Sequence, residues 1–333
     1  MLDRLYYGVG TMLPPRPNLA ICFAHVAYQM KTTFDVLATG LSSFEVRDRG
    51  ELDRRIGDAD VMVVSGMWHN GLIEKAKRLK FIQSISAGTD QYDREALAAR
   101  GIRLASAAGA NSRAVAEHAI GLILALARRL PEARDNQSRG VWRGMIGDLA
   151  LREDELSGKT LLIVGLGRIG GRLAQLAKAF DMKVIAFRQR PAAGPGAADA
   201  VYGLADLAAH LPAADFLALT CPLTPETRGL INASTLRLLR PSASLVNVAR
   251  GPCVDEAALV DALKSNRLAA AALDCTDPEP PASDSPLWSM PNVLLTPHTG
   301  GETRQYEANV IAMLLGNLER LWRGETELLN QVV

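Results

Sequence analysis

The stretch IVGLGRIGGRLAQLAKAF, residues 163–180, decides the fold of this chain. It carries the pattern GxGxxG at Gly165, Gly167 and Gly170, with an apolar run before it and apolar residues at helical spacing after it. In such a strand–turn–helix unit the first glycine permits the tight turn, the second lets a pyrophosphate approach, and the third lets the helix pack closely. A glycine-rich turn without a ligand fits this context less well, so the stretch predicts a dinucleotide-binding domain.

The composition describes the chain around this domain. The 333 residues are 48% hydrophobic and 22% charged, which fits an ordinary soluble chain with room for two domains. A net charge of +1 argues against nucleic acid or a membrane surface as a partner. The four cysteines sit singly, which predicts buried thiols in a reduced compartment and no metal site. Since no secretory signal is recognisable, we expect a cytoplasmic location.

Apolar runs alternate with helical patterns on both sides of the glycine-rich turn. The second domain is predicted to contain six strands, at 160–165, 183–187, 216–221, 244–249, 270–275 and 292–297. Helices between them include 168–180 and 255–264, the latter with Asp255 as its N-cap. Strands separated by helices predict a doubly wound α/β domain with a parallel sheet.

A similar alternation marks the N-terminal third. Its predicted strands are 19–24, 61–66, 81–87 and 102–107, and its predicted helices are 94–100 and 70–79, the latter capped by Asn70. A long helix from about Ser112 to Leu130 is predicted to stop at Pro131. An irregular polar segment suited to a subunit contact follows at 135–158, and a last helix is expected over 303–323.

The end of the second strand of the dinucleotide domain bears on coenzyme choice. A carboxylate that binds both ribose hydroxyls is expected there, about 20 residues beyond the glycines, but Arg188 occupies this place and Arg190 follows it. A carboxylate would repel a 2′-phosphate, whereas two guanidinium groups can bind it. The sequence therefore favours NADP, with NAD as the alternative if the arginines only cover the adenine or lie in solvent.

Three polar residues follow the ends of later strands: Arg250 in NVARGPCVDE, Glu279 in LDCTDPEP and His298 in LLTPHTGG. Because ligands of open parallel sheets bind beyond the carboxyl ends of the strands, the three can meet in one crevice. Reduction of a 2-oxo acid needs a cation at the carboxylate and a proton donor, which arginine and histidine supply. A carboxylate beside the histidine favours imidazolium. Each residue alone has a structural explanation, but together they predict a catalytic site.

In these blocks the chain resembles the D-isomer-specific 2-hydroxyacid dehydrogenases. The matching blocks run in the family's order from about 81 to 303 and include SAGTDQYD, NSRAVAEHA, ELSGKTLLIVGLGRIG, CPLTPETRGLI, LVNVARGPCVDEAAL, ALDCTDPEP and WSMPNVLLTPHTGGET. The resemblance implies two Rossmann- or flavodoxin-like domains with a cleft between them. The substrate domain would be 1–106 plus 299–333, and the dinucleotide-binding domain 107–298. The resemblance also implies a homodimer.

The family's functional positions can be carried over one by one. Arg250 resembles the substrate-binding and catalytic arginine, Glu279 the partner of the histidine, and His298 the acid/base. The backbone amides of Ala87 and Gly88 resemble those that hold the substrate carboxylate, although a plain turn would also fit this stretch. Asp274 resembles the position beside the carboxamide, and the other coenzyme positions are Arg168, Ile169, Pro222, Thr227, Val248, Ala249 and Gly300.

The resemblance implies reduction of a small 2-oxo acid, of the glyoxylate or hydroxypyruvate type, to the D-2-hydroxy acid by hydride transfer from NADPH. Glu279 argues against formate dehydrogenases, which lack it. If Trp68 and His69 line the pocket instead of serving as core and surface residues, a larger or aromatic 2-oxo acid is the alternative. A second alternative is a nucleotide-sensing interaction protein like the C-terminal-binding corepressors. The remaining histidines are interpreted as structural, namely His25, His118 and His210.

Overall fold

Two α/β units with parallel sheets make up residues 13–333, the part of the chain that the computed structural model describes. One unit comprises the chain up to Asn111 together with Thr303–Val333, and the other comprises Ser112–Glu302. The predicted fold class of two Rossmann- or flavodoxin-like domains is confirmed. The boundaries between the units, after Asn111 and after Glu302, lie a few residues beyond the predicted domain limits at 106 and 298. Within residues 13–333, every helix is too short or too polar to cross a bilayer.

The first unit is built on a five-stranded sheet in which all neighbouring strands are parallel. Its spatial order is β2-β1-β3-β4-β5, which is the flavodoxin-like order. The strands are β1 (Ala20–Ala24), β2 (Ser42–Val46), β3 (Val61–Val64), β4 (Phe81–Ser84) and β5 (Arg103–Ala105). The central strands β3 and β4 are buried along their whole length, because helices cover both faces of such a sheet.

Four helices connect these strands, and a C-terminal helix, Tyr306–Trp322, packs on the same core through Val310, Ile311 and Leu314. The four are α1 (Met30–Val36), α2 (Arg49–Arg55), α3 (Leu72–Lys75) and α4 (Arg94–Ala99). The predicted pattern lacks β2, α1 and α2. Strand β2 is an edge strand with the sequence SSFEV and four of its five residues partly or fully exposed, so it has no apolar run.

The prediction that Asn70 caps a helix over 70–79 is wrong. Helix α3 has only four residues and follows Gly71. The side-chain oxygen of Asn70 instead accepts hydrogen bonds from Trp68 Nε1 at 3.1 Å and from the Asp93 N–H at 3.0 Å. It therefore joins two loops of the first unit and is not available to the helix.

The second unit contains seven parallel strands, one more than predicted. They are β6 (Thr160–Val164), β7 (Lys183–Phe187), β8 (Ala200–Tyr202), β9 (Phe216–Leu219), β10 (Ser244–Asn247), β11 (Ala270–Leu273) and β12 (Val293–Leu295). The order β8-β7-β6-β9-β10-β11 is the 3-2-1-4-5-6 order of dinucleotide-binding folds, and β12 extends it by one strand. Strand β8 escapes prediction because it is a partly exposed edge strand of three residues.

The helices of the second unit are α5 (Ser112–Ala127), α6 (Leu130–Ser138), α7 (Arg168–Ala179), α8 (Leu207–His210), α9 (Ala233–Leu236) and α10 (Glu256–Lys264), and the C-terminal helix is then α11. The prediction that Pro131 ends the long helix is wrong. Helix α5 ends before Arg129, which has a left-handed φ of 51°, and Pro131 lies in the first turn of α6, where its missing N–H needs no intrahelical partner. The predicted cap of α10 is confirmed, because the Asp255 carboxylate accepts from the Ala258 N–H.

Neighbouring glycines of α7 provide a matched test of how closely this helix packs on β6. A Cβ at Gly170 would lie 2.1 Å from the Gly165 carbonyl oxygen, whereas a Cβ at Gly171 would meet nothing within 4 Å. We expect Gly170→Ala to destabilise the protein by about 1–3 kcal/mol through overpacking. Gly171→Ala should be neutral or stabilise it by up to about 1 kcal/mol, since alanine favours the helix. Urea unfolding followed by circular dichroism measures both; equal midpoints for the two variants would contradict the packing argument.

Candidate active site

The glycine-rich turn lies where the strand order of the second sheet reverses, between β6 and β9. Gly165 follows β6 with a φ of 103°, and a Cβ there would lie 2.6 Å from the backbone nitrogen of Cys221, just beyond β9. At Gly167, directly before α7, a Cβ would meet nothing within 4 Å. This open space faces the N-terminus of a twelve-residue helix, where backbone N–H groups favour a phosphate. The cradle therefore fits the pyrophosphate of a dinucleotide.

A cavity of 380 Å³ adjoins this turn and contains both arginines of the predicted coenzyme site. Arg188 is half-buried and Arg190 is exposed. In the described part of the chain neither guanidinium is paired with a carboxylate, so both are available to an anion. Glu226 also lines the cavity, and its hydrogen bond with Thr224 lowers the pKa of that carboxyl. The cavity thus holds two unpaired cations and a carboxylate with a partner of its own.

Of the remaining predicted coenzyme positions, Pro222 and Thr227 line this cavity, and the others are not among its lining residues. Thr227 is buried, and its hydroxyl donates to the Pro222 carbonyl at 2.8 Å, which fixes the loop after β9. Arg168 and Ile169 are the first residues of α7, the former exposed and the latter half-buried. The buried pair at the end of β10 is Val248 and Ala249.

The predicted acid/base residue and its predicted partner are in contact. His298 Nδ1 lies 2.7 Å from Glu279 Oε1, and the two side chains are 43% and 42% exposed. His298 follows β12 in the left-handed conformation with a φ of 55°, which is uncommon for any residue other than glycine. Because Glu279 occupies Nδ1, Nε2 is the ring nitrogen left to exchange a proton with a ligand.

Arg250 lies just beyond β10, the strand next to β11. It is half-buried, and its Nη1 donates to the Ala249 carbonyl at 2.7 Å. The next residue packs so closely on the loop that leads to Glu279 that a Cβ at Gly251 would lie 1.9 Å from the Thr276 carbonyl oxygen. Among residues 13–333 no hydrogen bond joins the Arg250 guanidinium to Glu279 or His298. The structure therefore brings two of the three predicted catalytic residues into contact.

Asp274 lies at the centre of a hydrogen-bond cluster. The residue is 3% exposed, and its carboxylate accepts from Thr296 Oγ1 at 2.6 Å, from the Thr299 N–H at 3.0 Å and from the Gly300 N–H at 3.0 Å. Burial alone would raise the pKa of this carboxyl, but hydrogen bonds from His118, Thr296 and Gly300 outweigh burial and lower it. Asp274 is therefore an ionised, buried acceptor.

His118, which is interpreted from the sequence as a structural residue, belongs to this cluster. From α5, its Nε2 lies 3.0 Å from Thr296 Oγ1 and 3.3 Å from Asp274 Oδ1. The sequence does contain a signal: His118 interrupts the mostly apolar helical stretch AVAEHAIGLIL, and a partly buried polar group in such a place needs a partner. The pattern cannot identify the partners, which follow β11 and β12 far along the chain.

The predicted substrate-binding residues belong to the first unit. Ala87 is exposed and Gly88 is half-buried, just beyond β4. Trp68 is 4% exposed in the core of this unit, with its ring centroid 5.5 Å from that of Tyr92. His69 is partly exposed, 3.6 Å from Asp53. Of the two interpretations of Trp68 and His69, the structure favours a core residue and a surface residue.

The sheet order, the glycine cradle and the polar strand ends define a two-domain α/β protein of the dinucleotide-binding class. Residues 120–300 match the family model described as D-isomer specific 2-hydroxyacid dehydrogenase, NAD binding domain. The chain belongs to this family, which confirms the resemblance found in the sequence.

Relatives and a solved structure agree with this assignment. A glyoxylate/hydroxypyruvate reductase B from Citrobacter koseri is 38% identical over 262 residues, which cover 78% of this chain and 80% of the relative. A D-3-phosphoglycerate dehydrogenase from Methanocaldococcus jannaschii is 38% identical over 291 residues, 87% of this chain and 53% of the relative. The chain thus spans about half the length of such dehydrogenases. A crystal structure of a protein from Thermus thermophilus has a TM-score of 0.82 and 34% identity, with coverage of 94% of this chain and 100% of that one.

The lowered pKa of Asp274 predicts how stability depends on pH. A carboxyl whose pKa is lower in the folded protein contributes stability that is complete above its unfolded value, about 3.9, and is lost as the pH falls through the folded value. We expect Asp274→Asn to lower the free energy of unfolding by about 1–3 kcal/mol at neutral pH. The difference from the wild type should shrink below about pH 4. Urea titrations at a series of pH values measure it, and a difference that grows on acidification would contradict the sign.

Proposed function

We propose that this protein is an NADPH-dependent reductase that converts a small 2-oxo acid, of the glyoxylate or hydroxypyruvate type, to the D-2-hydroxy acid. The observation that carries the proposal is the 2.7 Å contact between His298 Nδ1 and Glu279 Oε1 in the same unit as the glycine cradle. A histidine whose ring is oriented by a carboxylate can present its other nitrogen as a proton donor, which the reduction of a carbonyl group requires.

In the proposed reaction, each of these groups would have a separate role. The coenzyme, when bound, supplies a hydride to the carbonyl carbon. His298, as imidazolium, gives its Nε2 proton to the carbonyl oxygen, while Glu279 holds the opposite N–H and sustains the positive charge. Arg250 and the backbone amides of Ala87 and Gly88 bind the substrate carboxylate. In the reverse direction, neutral His298 accepts the proton from the hydroxyl group.

The preference for NADPH rests on Arg188 and Arg190 in the cavity beside the glycine-rich turn. A 2′-phosphate bound there would meet two guanidinium groups at the place where an NAD-specific site presents a carboxylate. Pro222, Thr227, Val248 and Ala249 would contact the rest of the coenzyme, Asp274 its carboxamide and Gly300 its nicotinamide ring.

A small substrate is favoured because Trp68 is a core residue of the first unit and does not supply the aromatic pocket that a larger acid would need. The glyoxylate/hydroxypyruvate reductase among the relatives supports the same class. We further propose a cytoplasmic homodimer. An exposed segment beyond α6, with Trp142 at 97% and Met145 at 102% exposure, offers apolar area for a second copy of the chain.

The acid/base assignment is tested by His298→Ala, with His69→Ala as a matched control at a partly exposed histidine. We expect His298→Ala to lower kcat for glyoxylate or hydroxypyruvate by roughly 10²–10⁴-fold, the usual contribution of a general acid. NADPH binding should stay near the wild-type value, and His69→Ala should retain full activity. Unchanged turnover in purified His298→Ala protein would refute the role. A panel of small and aromatic oxo acids, assayed with NADPH and NADH, identifies the substrate; wild-type protein inactive with every acid would favour the nucleotide-sensing alternative.

The coenzyme assignment is tested by Arg188→Asp, with Arg237→Asp as a control that makes the same charge change at an exposed site outside the cavity. Loss of charge-assisted hydrogen bonds to a 2′-phosphate should lower kcat/KM for NADPH by roughly 10- to 100-fold. The value for NADH should be unchanged or higher, and Arg237→Asp should alter neither. Equal losses of kcat/KM with NADPH and NADH would show that Arg188 does not recognise the 2′-phosphate.

A further inference from the structure

His118 lies in the middle of α5 and has no part in the proton transfer proposed above. Its side chain is 24% exposed, and its Nε2 faces two oxygens, Thr296 Oγ1 at 3.0 Å and Asp274 Oδ1 at 3.3 Å. An imidazole held by a buried carboxylate and a hydroxyl group, next to the proposed nicotinamide site, calls for a role of its own.

The hydrogen bonds of the cluster fix the proton on His118. The single hydroxyl hydrogen of Thr296 goes to Asp274 Oδ1, because these two oxygens are 2.6 Å apart and the carboxylate can only accept. The Thr296 oxygen therefore has only lone pairs to offer, and His118 must carry a hydrogen on Nε2. The Asp274 carboxylate thus accepts from the Thr296 hydroxyl and from two backbone N–H groups, and His118 Nε2 lies 3.3 Å from its Oδ1.

The ring of His118 also forms part of the wall around Gly300. A Cβ at Gly300 would lie 3.0 Å from His118 Cδ2 and 2.8 Å from Asp274 Oδ2. His118 and Asp274 therefore enclose Gly300 together, and loss of the imidazole would remove one contact of the carboxylate and open space beside the Gly300 backbone. A shift of about 1 Å in such a support is enough to misplace a reacting group.

We infer that His118 is a positioning residue for the nicotinamide end of the coenzyme: through Thr296 and Asp274 it holds the carboxylate that accepts the carboxamide. This inference rests on the proposed function, which puts the carboxamide at Asp274. This positioning role requires an N–H donor at the end of a side chain of this length and does not require a group that titrates. Glutamine, whose amide nitrogen reaches about as far as Nε2, should therefore replace it in part.

The test compares His118→Leu and His118→Gln with the wild type in binding alone, without an oxo acid. Kd is measured by fluorescence for NADPH and by calorimetry for 2′,5′-ADP, which has the adenosine end but no nicotinamide. We expect His118→Leu to raise the Kd of NADPH by roughly 5- to 20-fold, which corresponds to about 1–2 kcal/mol, because the carboxylate loses one donor but keeps the others. The Kd of 2′,5′-ADP should stay within about twofold, and His118→Gln should recover most of the loss.

Each contrary result has a defined meaning. Equal weakening of both ligands, or a Leu variant that binds NADPH as the wild type does, overturns the positioning role. A Gln variant as weak as the Leu variant overturns the donor argument. NADH and ADP-ribose form a parallel pair, so a protein that prefers NAD still gives an answer. Coenzyme binding that responds as expected in a protein without oxo-acid turnover would overturn the proposed function alone; a wild type that binds neither coenzyme would overturn both.

Discussion

The close approach of the β6–α7 turn to the end of β9 is the constraint on which the candidate site depends. A Cβ at Gly165 would lie 2.6 Å from the Cys221 nitrogen, and one at Gly170 would lie 2.1 Å from the Gly165 carbonyl oxygen. With no side chain at either position, α7 can start directly at the point where the sheet order reverses. Its N-terminus then faces the cavity that contains Arg188. Phosphate binding and cation placement are thus consequences of one backbone packing.

The second half of the site follows from the register of the parallel strands. Asn247 is paired with Leu273, and Leu273 with Leu295, so β10, β11 and β12 end at the same level. The residues just beyond these ends are neighbours: the Asp274 N–H donates to the Asn247 carbonyl and the Thr296 N–H to the Leu273 carbonyl. A carboxylate and a hydroxyl group separated by a complete strand and its connection therefore lie 2.6 Å apart. Helix α5 then adds His118 from a segment that precedes the whole sheet.

The difference between local backbone packing and contacts across the sheet explains how much of the fold and of the site the sequence could predict. The glycine turn, the central strands and the helix cap at Asp255 are local patterns, and each is readable from a short window. Edge strands such as β2 and β8 escape because exposed positions carry no apolar run. Pro131 misleads because proline fits the first turn of a helix as well as the position after one, and only the left-handed Arg129 distinguishes the two. His118 escapes because its partners follow β11 and β12, which no local pattern reveals.

The contact between His298 and Glu279 raises the question of what holds the imidazole in place. Both side chains are more than two-fifths exposed, and ion pairs at such positions contribute at most about 1 kcal/mol. Hydrogen bonds of the residues on both sides of His298 contribute more to its position. Thr296 precedes His298 by two residues and donates to Asp274, and the N–H groups of Thr299 and Gly300, directly after His298, end on the same carboxylate. Asp274 therefore anchors the loop on both sides of the proposed proton donor. If the Asp274 carboxylate also accepts a hydrogen bond from the carboxamide, one buried charge positions both the hydride donor and the proton donor. Their relative position then does not depend on the exposed ion pair.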